Sequence, residues 1–493
     1  MTSISRLPSP SRRFQWRFAT LLLVSVIFVF LASSIREGHL WDDDAAQYIL
    51  HARNIVEGRP YADTGYLFNP EYATLGPASY PPGFPLLLAP IWALRGFDLH
   101  SMKLLEVVCF VVWLCAMGLY FERELGGPAT LLLIAIIGFC PLFWEFKDLV
   151  GSDIPFAAVL FVALVSIQHL YYRQGKPELA TGILAALLIA AAASIRSVGI
   201  MLIPAVAIHD FLRNRTITRF AVVSCVLSAA ACTAVSLSIG SAGGTFSLFH
   251  MTAGTVTGNA ATYTVMAAAD LWQAGRFRVA AWLLEGATAA AVAWSIWRRW
   301  KGRRPLGIVE VFSLLYLAVM LVYKPHEVRF LFPVFPLYVA FVVSAAQDAI
   351  RALPGWRSWV AVGATCALAA FAYLAQYRSM PWGEIPDGFT GPRFMSVVCF
   401  LQQHTDPSDI ILFRKPRVLP LLAGRRATTY AHVRGLGGFV HKVQPRYVVA
   451  SYSSAGNFAS DAQYLWPFLQ AQGANAQLVY QNDAYAVYRV LAW

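Results

Sequence analysis

The sequence predicts a mainly α-helical protein that crosses a membrane many times and ends in a small α/β domain. Of its 493 residues, 57% are hydrophobic and only 13% are charged, whereas soluble chains carry about 25% charged residues. The 15 Trp, 21 Tyr and 32 Phe are typical of a protein with many membrane–water interfaces. This composition excludes collagen-like, disordered, disulfide-scaffold and purely soluble proteins.

The net charge of +12 comes from basic residues in short loops between apolar stretches. Such a distribution reflects the orientation of membrane insertion, so we expect no nucleic-acid partner. Every cysteine except Cys399 lies in an apolar segment, and the sequence has no C-x-x-C pair. We therefore expect neither disulfides nor structural zinc.

Apolar stretches of about 20 residues are long enough to cross a bilayer. Eleven stretches are predicted as membrane spans: 18–35, 104–121, 128–144, 154–172, 179–195, 198–212, 220–239, 279–297, 306–322, 330–347 and 358–376. The polar break at Arg196–Gly199 separates the fifth span from the sixth. Basic residues concentrate in alternate loops, above all at 298–304, which predicts an N-terminus inside the cell and a C-terminus outside.

The predicted domains are a cytoplasmic tail over 1–17, a transmembrane domain over 18–379 and a soluble extracytoplasmic α/β domain over 380–493. The transmembrane domain includes a long outward loop, 36–103, whose apolar segment 84–94 is too short to cross and is expected at the membrane interface. In the C-terminal domain, patterning predicts strands near 409–413, 446–451 and 485–490, and helices near 392–404 and 461–471.

Few titratable residues fall inside the predicted spans. Ion-coupled transporters need carboxylates or histidines near the middle of the membrane, so their scarcity argues against transport. A carrier of lipids or polysaccharides, without transferase chemistry, is kept as the alternative function.

Acidic residues instead stand at the outward ends of predicted helices. Asp42, Asp43 and Asp44 precede an amphipathic helix that is expected to lie on the outer surface, and Asp153 precedes a membrane span. Helix capping accounts for one or two such carboxylates, while catalysis is the alternative for the remainder.

Basic residues occur at the same level of the protein. Arg196 lies at the break between two spans, where an arginine whose side chain merely reaches toward the headgroups is the simpler explanation. Lys324, His326 and Arg329 lie in an outward loop, against the usual bias of insertion. A carboxylate beside arginines suits transfer from a phosphate-linked donor, because the carboxylate can accept a proton and arginine can bind the departing phosphate.

Several of these segments resemble motifs of one family. They are Asp44-Ala45-Ala46-Gln47-Tyr48, Tyr80-Pro81-Pro82-Gly83, Ser152-Asp153-Ile154-Pro155, Arg196-Ser197-Val198-Gly199 and Arg329-Phe330-Leu331-Phe332-Pro333. In this order they resemble the bacterial GT-C glycosyltransferases related to protein O-mannosyltransferases and the lipid A aminoarabinose transferase. The resemblance covers about residues 18–350 and leaves out the C-terminal domain.

The resemblance implies an inverting glycosyltransferase at the outer face of the cytoplasmic (inner) membrane. It would move a sugar from a polyprenyl phosphate to a hydroxyl of a cell-envelope lipid, glycan or protein. Asp44 is the implied base, with Asp43 left open, and Asp153 would orient the acceptor or a divalent cation held near Asp44. No metal site is predicted from the residues themselves.

The remaining implied site residues bind substrate. They are Arg196 and Arg329 for the donor phosphate, with Tyr80, Tyr48, His326 and Lys324 around them. The basic segment 414–417 of the C-terminal domain could reach an anionic acceptor, but we favour its interpretation as a solvated basic surface.

Overall fold

The structure is a computed structural model that describes residues 10–41, 44–173, 179–239, 249, 251–272, 278–353, 355–386, 389–431, 436–452 and 461–493. Asp42 and Asp43 lie outside these ranges, so the alternative that Asp43 is the base concerns a residue outside the described chain and stays a prediction. The described chain is mainly helical, and a small sheet forms near the C-terminus.

The helices before the C-terminal domain are α1 Pro10–Ser33, α2 Asp44–Val56, α3 Gly83–Arg95, α4 Leu99–Leu125, α5 Gly127–Gly138, α6 Pro141–Phe146, α7 Asp153–Arg173, α8 Leu179–Ile195, α9 Leu202–Asn214, α10 Arg219–Ser238, α11 Ala253–Met266, α12 Arg278–Lys301, α13 Ile308–Val322, α14 Phe335–Arg351 and α15 Trp356–Tyr377. Short 3₁₀ turns precede α9 and α14, at Ser197–Met201 and Val328–Leu331. Both turns lie beside the candidate site.

Among the described residues, four helical segments are both long and apolar enough to cross a membrane: Phe14–Ser33, Leu99–Leu125, Asp153–Tyr171 and Arg219–Ser238. Shorter apolar helices cover Gly83–Arg95, Gly127–Gly138, Leu179–Ile195 and Ile308–Val322. The four long helices agree with the first, second, fourth and seventh predicted spans. The total of eleven crossings stays a prediction.

The structure contains two helix breaks, one inside a predicted span and one between two predicted spans. The expectation of one continuous span over 128–144 is wrong, because α5 ends at Gly138 and α6 begins at Pro141. Proline lacks the backbone N–H that would continue the helix, so the chain turns before it. The predicted break after the fifth span is confirmed, because Arg196 has an extended backbone (φ −139°, ψ 131°) directly after α8.

The outward regions contain more buried structure than the sequence indicated. We expected α2 to lie on the surface, but its polar residues Gln47, His51 and Asn54 are buried. Helix α3 and the C-terminal domain pack over it, which covers the face that would otherwise meet water. The segment between the predicted spans 220–239 and 279–297 includes the helix α11.

The C-terminal domain contains α16 Pro392–His404, β1 Ile410–Leu412, α17 Val418–Ala423, β2 Arg426–Thr428, α18 Gly438–Val443, β3 Tyr447–Ser451, α19 Trp466–Gln472, β4 Ala476–Gln481 and β5 Tyr485–Val490. The strands form one sheet in the order β2-β1-β3-β5-β4. Strands β2, β1 and β3 are parallel, whereas β5 is antiparallel to both β3 and β4. Each of the three predicted strands and both predicted helices is found, while β2 and β4 were not predicted.

One hydrophobic core joins the helical bundle to the C-terminal domain. Its buried residues include Ile27 and Trp113 in the bundle, and Phe394 and Val418 in the domain. A second, smaller cluster around Val448 and Leu465 fills the opposite side of the sheet. The domain is therefore packed against the bundle through shared apolar burial, which fixes its position over the first outward region.

Candidate active site

Four helix ends bring the predicted site residues to one place. Asp44 is the first residue of α2, and Asp153 is the first residue of α7. Arg196 follows the end of α8, and Arg329 lies in the 3₁₀ turn before α14. A carboxylate in the first turn of a helix interacts favourably with the helix dipole, so both aspartates occupy positions that suit their helices.

Asp44 has one oxygen that is fully engaged and one that faces the centre of the site. The hydroxyl of Tyr80 donates to Asp44 Oδ1 at 2.6 Å, and Arg417 Nη1 donates to the same oxygen at 3.1 Å. The other oxygen, Oδ2, has Arg329 Nη1 at 3.6 Å. The side chain of Asp44 is 23% exposed, so it remains accessible from the site.

Asp153 has the same arrangement with different partners. Arg196 Nη1 donates to Asp153 Oδ1, while Asp153 Oδ2 faces Arg329 Nη1 at 3.7 Å. The hydroxyls of Tyr48 and Ser152 are hydrogen-bonded to each other at 2.9 Å beside this pair. Each aspartate thus has its Oδ1 held by its own arginine, and both Oδ2 atoms face Arg329.

Arg329 is the cation that the two aspartates share. Its distances of 3.6 Å and 3.7 Å to them are longer than hydrogen bonds, whereas its Nε lies 2.5 Å from the half-exposed Glu327. Burial lowers the pKa of Arg329, but Asp153, Asp44 and Glu327 more than offset this and raise the pKa overall. The guanidinium therefore stays charged and is not locked by either aspartate.

Two buried tyrosines line the site and remain protonated. Burial, and after it the neighbouring Asp44 carboxylate, raises the pKa of both Tyr48 and Tyr80 well above 10.0. Their rings lie 4.6 Å apart between centroids. Tyr80 can therefore act only as a hydrogen-bond donor toward Asp44.

A cavity of about 30 Å³ opens between the two aspartates, which is room for about one water molecule. Its lining includes Asp44, Asp153, Arg329 and Glu106. Glu106 Oε1 accepts a hydrogen bond of 3.0 Å from the backbone N–H of Gly151, two residues before Asp153. Glu106 was not predicted as a site residue, and the structure places it as a support for the turn that presents Asp153.

The described site residues do not fit the divalent cation considered from the sequence. Among the described residues, no three His, Cys, Asp or Glu side chains are grouped so that they could hold a metal ion. The oxygens of Asp44 and Asp153 that could coordinate a cation instead face the guanidinium of Arg329. A positive side chain at this place disfavours a second cation.

The structure places Lys324 and His326 apart from this network. Lys324 is exposed. A ring nitrogen of His326 contacts the side-chain oxygen of Asn259, and Asn259 donates to the backbone carbonyls at the end of α13. The contact of His326 therefore helps to organise the loop before Arg329. The predicted contact of Lys324 and His326 with substrate stays a prediction.

Asp148 is a buried acid near the site, but its carboxylate is paired with two cations of its own. Asp148 accepts hydrogen bonds from Arg36 Nε at 2.6 Å and from Lys147 Nζ at 2.8 Å. Both cations also lie over the ring of Trp144, at 4.6 Å and 4.5 Å from its centroid. Burial lowers the pKa of Lys147 to about 8 even though Asp148 opposes this shift. This cluster joins the end of α1 to the turn before α7, so its role is structural.

Comparisons with known proteins identify the fold. Neither a family model nor a curated protein sequence matches the chain. The crystal structure of ArnT from Cupriavidus metallidurans bound to undecaprenyl phosphate superposes with a TM-score of 0.59, covering 96% of this chain and 98% of ArnT at 14% identity. ArnT is a lipid A aminoarabinose transferase of the GT-C superfamily.

Two further GT-C structures are similar over nearly the whole chain. The oligosaccharyltransferase AglB from Archaeoglobus fulgidus, in complex with an inhibitory peptide and a dolichol-phosphate, has a TM-score of 0.59 at 12% identity, covering 97% of this chain and 74% of AglB. The mycobacterial arabinofuranosyltransferase AftD has a TM-score of 0.53 at 12% identity, covering 97% of this chain and 40% of AftD. This chain has the GT-C fold.

Within the GT-C fold of this chain, Arg417 contacts Asp44 although it was not predicted as a site residue. We expected the segment 414–417 to be a solvated basic surface, and for Arg417 this is wrong, since its side chain is 0% exposed and paired with Asp44. The contact joins residues 373 positions apart. The sequence did contain a signal for the burial of Arg417, because this residue directly precedes the apolar segment that forms α17.

Proposed function

We propose that this protein is a membrane glycosyltransferase that uses a polyprenyl-phosphate-linked sugar as its donor. One observation carries the proposal: two aspartates at helix starts present their second carboxylate oxygens to one shared arginine, Arg329, which has no short hydrogen bond to either of them. The shared fold supports it, since the ArnT crystal structure contains undecaprenyl phosphate and the AglB structure is a complex with a dolichol-phosphate. The proposed place of action is the outer face of the inner membrane, with the N-terminus inside the cell.

Asp44 is the proposed general base. Its Oδ1 already accepts from Tyr80 and Arg417, so Oδ2 is the oxygen left to take a proton from an acceptor hydroxyl. A base must lie within hydrogen-bond reach of the proton it removes, and the cavity beside Asp44 admits a hydroxyl-sized group. Asp153, held by Arg196, would orient that acceptor.

Arg329 is the proposed binding group for the donor phosphate. It is charged, lies between the two aspartates, and has no short hydrogen bond to either of them. A guanidinium binds phosphate in a bidentate manner and stabilises negative charge as it develops on the leaving group. The same arginine thereby neutralises a charge that would otherwise repel the nearby carboxylates.

The proposed step is a single displacement at the anomeric carbon of the sugar. The acceptor oxygen forms a bond to this carbon, the bond from the carbon to the phosphate oxygen breaks, and the bonding pair leaves with the polyprenyl phosphate. The hydroxyl proton passes to Asp44. Attack opposite to the leaving phosphate inverts the configuration, and the proposed acceptor is a hydroxyl of an envelope lipid, glycan or protein.

The test compares cells that lack the gene with cells complemented by the wild type, Asp44→Asn or Asp98→Asn. Mass spectrometry of envelope lipids, glycans and proteins identifies the sugar that disappears in the deletion strain. Asp98 is a suitable control because it caps the start of α4, where its side chain accepts from the N–H groups of His100 and Ser101. Asparagine caps helices equally well, so this variant keeps its stability.

We expect the wild type and Asp98→Asn to restore the sugar, and Asp44→Asn to be expressed without restoring it. Near-normal modification by Asp44→Asn would remove the base assignment. Two results together would instead establish the alternative of a lipid or polysaccharide transporter. The deletion would leave the envelope sugars unchanged, and the purified wild-type protein would move lipid across vesicle membranes.

A further inference from the structure

The C-terminal domain is joined to the first outward region by backbone pairing. The N–H of Leu67 donates to the carbonyl of Ala427 at 2.8 Å, and the N–H of Ala427 donates to the carbonyl of Gly65 at 3.0 Å. The hydroxyl of Thr428 adds a bond of 2.9 Å to the carbonyl of Leu67. Residues 65–67 therefore lie along β2 at the edge of the sheet, and the domain cannot shift without breaking these bonds.

This docking places the side chain of Arg417 of the C-terminal domain next to Asp44 in the site. Its Nη2 donates to the carbonyl of Pro77 at 3.0 Å, and its guanidinium lies 4.8 Å and 5.3 Å from the ring centroids of Tyr66 and Tyr80. The packing around it is close. A Cβ at Gly76 would lie 2.8 Å from Arg417 Nη2 and 2.6 Å from the Tyr80 hydroxyl.

The charge of Arg417 is matched by Asp44. A buried guanidinium is costly unless a carboxylate compensates it, and Asp44 Oδ1 lies 3.1 Å from Arg417 Nη1. Arg417 Nη1 also donates to the Tyr80 hydroxyl at 3.3 Å. Arginine, tyrosine and aspartate thus form a closed triangle in which two donors fix the same carboxylate oxygen.

We propose that Arg417 is a positioning residue for Asp44, so that the C-terminal domain completes the active site instead of being an accessory to it. The inference rests on the proposed function. Holding Oδ1 sets the rotation of the carboxylate and directs Oδ2 toward Arg329 and the cavity. Without Arg417, the carboxylate can rotate, and Oδ2 is no longer held toward the acceptor.

Arg414 provides a matched control on the same segment. It belongs to the same interface, since its Nη2 donates to the Tyr72 hydroxyl at 2.9 Å and its guanidinium lies 5.1 Å from the Tyr72 ring centroid. Its described contacts do not include Asp44. Arg414→Ala therefore weakens the docking of the domain but leaves the triangle around Asp44 complete.

The experiment uses full-length protein in membranes of the deletion strain and measures two quantities. The first is the rate at which the missing sugar is restored, at matched protein levels. The second is the dissociation constant of purified variants for undecaprenyl phosphate, followed by native mass spectrometry. Arg417→Ala, Arg417→Lys, Arg414→Ala and the wild type are compared, and their thermal stability is recorded.

We expect Arg417→Ala to lower the rate about 100-fold, the size of effect that a displaced catalytic group produces. Its affinity for undecaprenyl phosphate should change less than about twofold, because Arg329 and not Arg417 faces the phosphate position. Millimolar guanidinium ion should restore part of the rate to Arg417→Ala. Arg414→Ala should stay within about twofold of the wild type in both quantities.

Three results would overturn the inference while leaving the proposed function intact. They are an unchanged rate in Arg417→Ala, a loss of undecaprenyl phosphate affinity that accounts for the whole loss of rate, and an equal loss of rate in Arg414→Ala. If Arg417→Ala does not fold, Arg417→Lys decides, because it keeps the charge but loses the guanidinium geometry. A wild type that restores no sugar would overturn the proposed function itself.

Discussion

The hydroxyl of Tyr80 donates a 2.6 Å hydrogen bond to Asp44 Oδ1. The tyrosine is itself held in place, since the Tyr61 hydroxyl donates to the backbone carbonyl of Tyr80 at 2.8 Å. Hydrogen bonds to a charged group are the stronger ones, worth about 1.5–3 kcal/mol. The orientation of Asp44 therefore depends on the segment before α3 as well as on the C-terminal domain.

Tyr80→Phe removes this bond and keeps the ring that packs against Tyr48. We expect sugar transfer to fall about tenfold, which corresponds to about 1.4 kcal/mol of lost stabilisation. Restoration of the missing sugar in the complemented deletion strain measures the effect. Tyr480→Phe, on the outer strand β4, serves as the control, and equal rates for the two variants would contradict the prediction.

Local sequence signals predicted the site residues that lie at helix ends. Asp44 and Asp153 begin helices, Arg196 stands at a helix break, and Arg329 precedes a span, so each is visible from the residues beside it. Their convergence agrees with the expected arrangement at one end of the bundle. Charged residues are costly next to apolar helices, which is why such positions are informative.

The contact between Arg417 and Asp44 could not be predicted from local patterns. It depends on pairing between β2 and residues 65–67, and β2 has only 3 residues. Short strands carry little periodicity, and their partners are set by the packing of distant segments. By contrast, the break before α6 was visible in the sequence, because Pro141 interrupts the predicted span.

Glu327 competes with the proposed donor phosphate for Arg329. Its side chain is 48% exposed, and its Oε2 lies 2.5 Å from Arg329 Nε. We expect Glu327→Gln to bind undecaprenyl phosphate about two- to fivefold more tightly, because breaking an exposed ion pair costs up to about 1 kcal/mol. Titration of the purified protein followed by native mass spectrometry measures this change.

Glu57→Gln is the matched control for that variant, since Glu57 pairs with Arg59 at 2.8 Å in the same outward region. It should leave the affinity unchanged. Weaker binding in Glu327→Gln would mean that Glu327 orients Arg329 for the phosphate and does not compete with it.

Asp148 is predicted to matter for stability. Its side chain is 0% exposed and neutralises Arg36 and Lys147, so Asp148→Asn leaves two cations without their carboxylate. Breaking such a buried pair lowers the free energy of unfolding by about 3–5 kcal/mol. Thermal unfolding of detergent-purified protein should show a clearly lower midpoint than for Asp348→Asn, whose partner Arg298 is 45% exposed. Equal midpoints for the two variants would contradict a structural role specific to Asp148.

Buried His51 is expected to make the folded protein less stable at low pH. Its Nδ1 faces the carbonyl of Tyr61 at 2.8 Å, and its Nε2 faces the backbone N–H of Tyr80 at 3.3 Å. The neutral ring satisfies both contacts when Nδ1 donates and Nε2 accepts. Protonation would place a second N–H against the N–H of Tyr80, and burial accordingly lowers the pKa of His51 from 6.5 to about 4.

A pKa that is lower in the folded protein means that the unfolded chain binds more protons between about pH 6.5 and about pH 4. The stabilisation is complete above pH 6.5 and is lost as the pH falls toward 4, by about 3 kcal/mol in total. His51→Asn should therefore show a shallower decline of the unfolding midpoint over this range than the wild type. His404→Asn, on the exposed side of α16, should keep the wild-type slope. If His51→Asn and the wild type decline in parallel, the neutral ring of His51 does not support the segment that holds Tyr80 against Asp44.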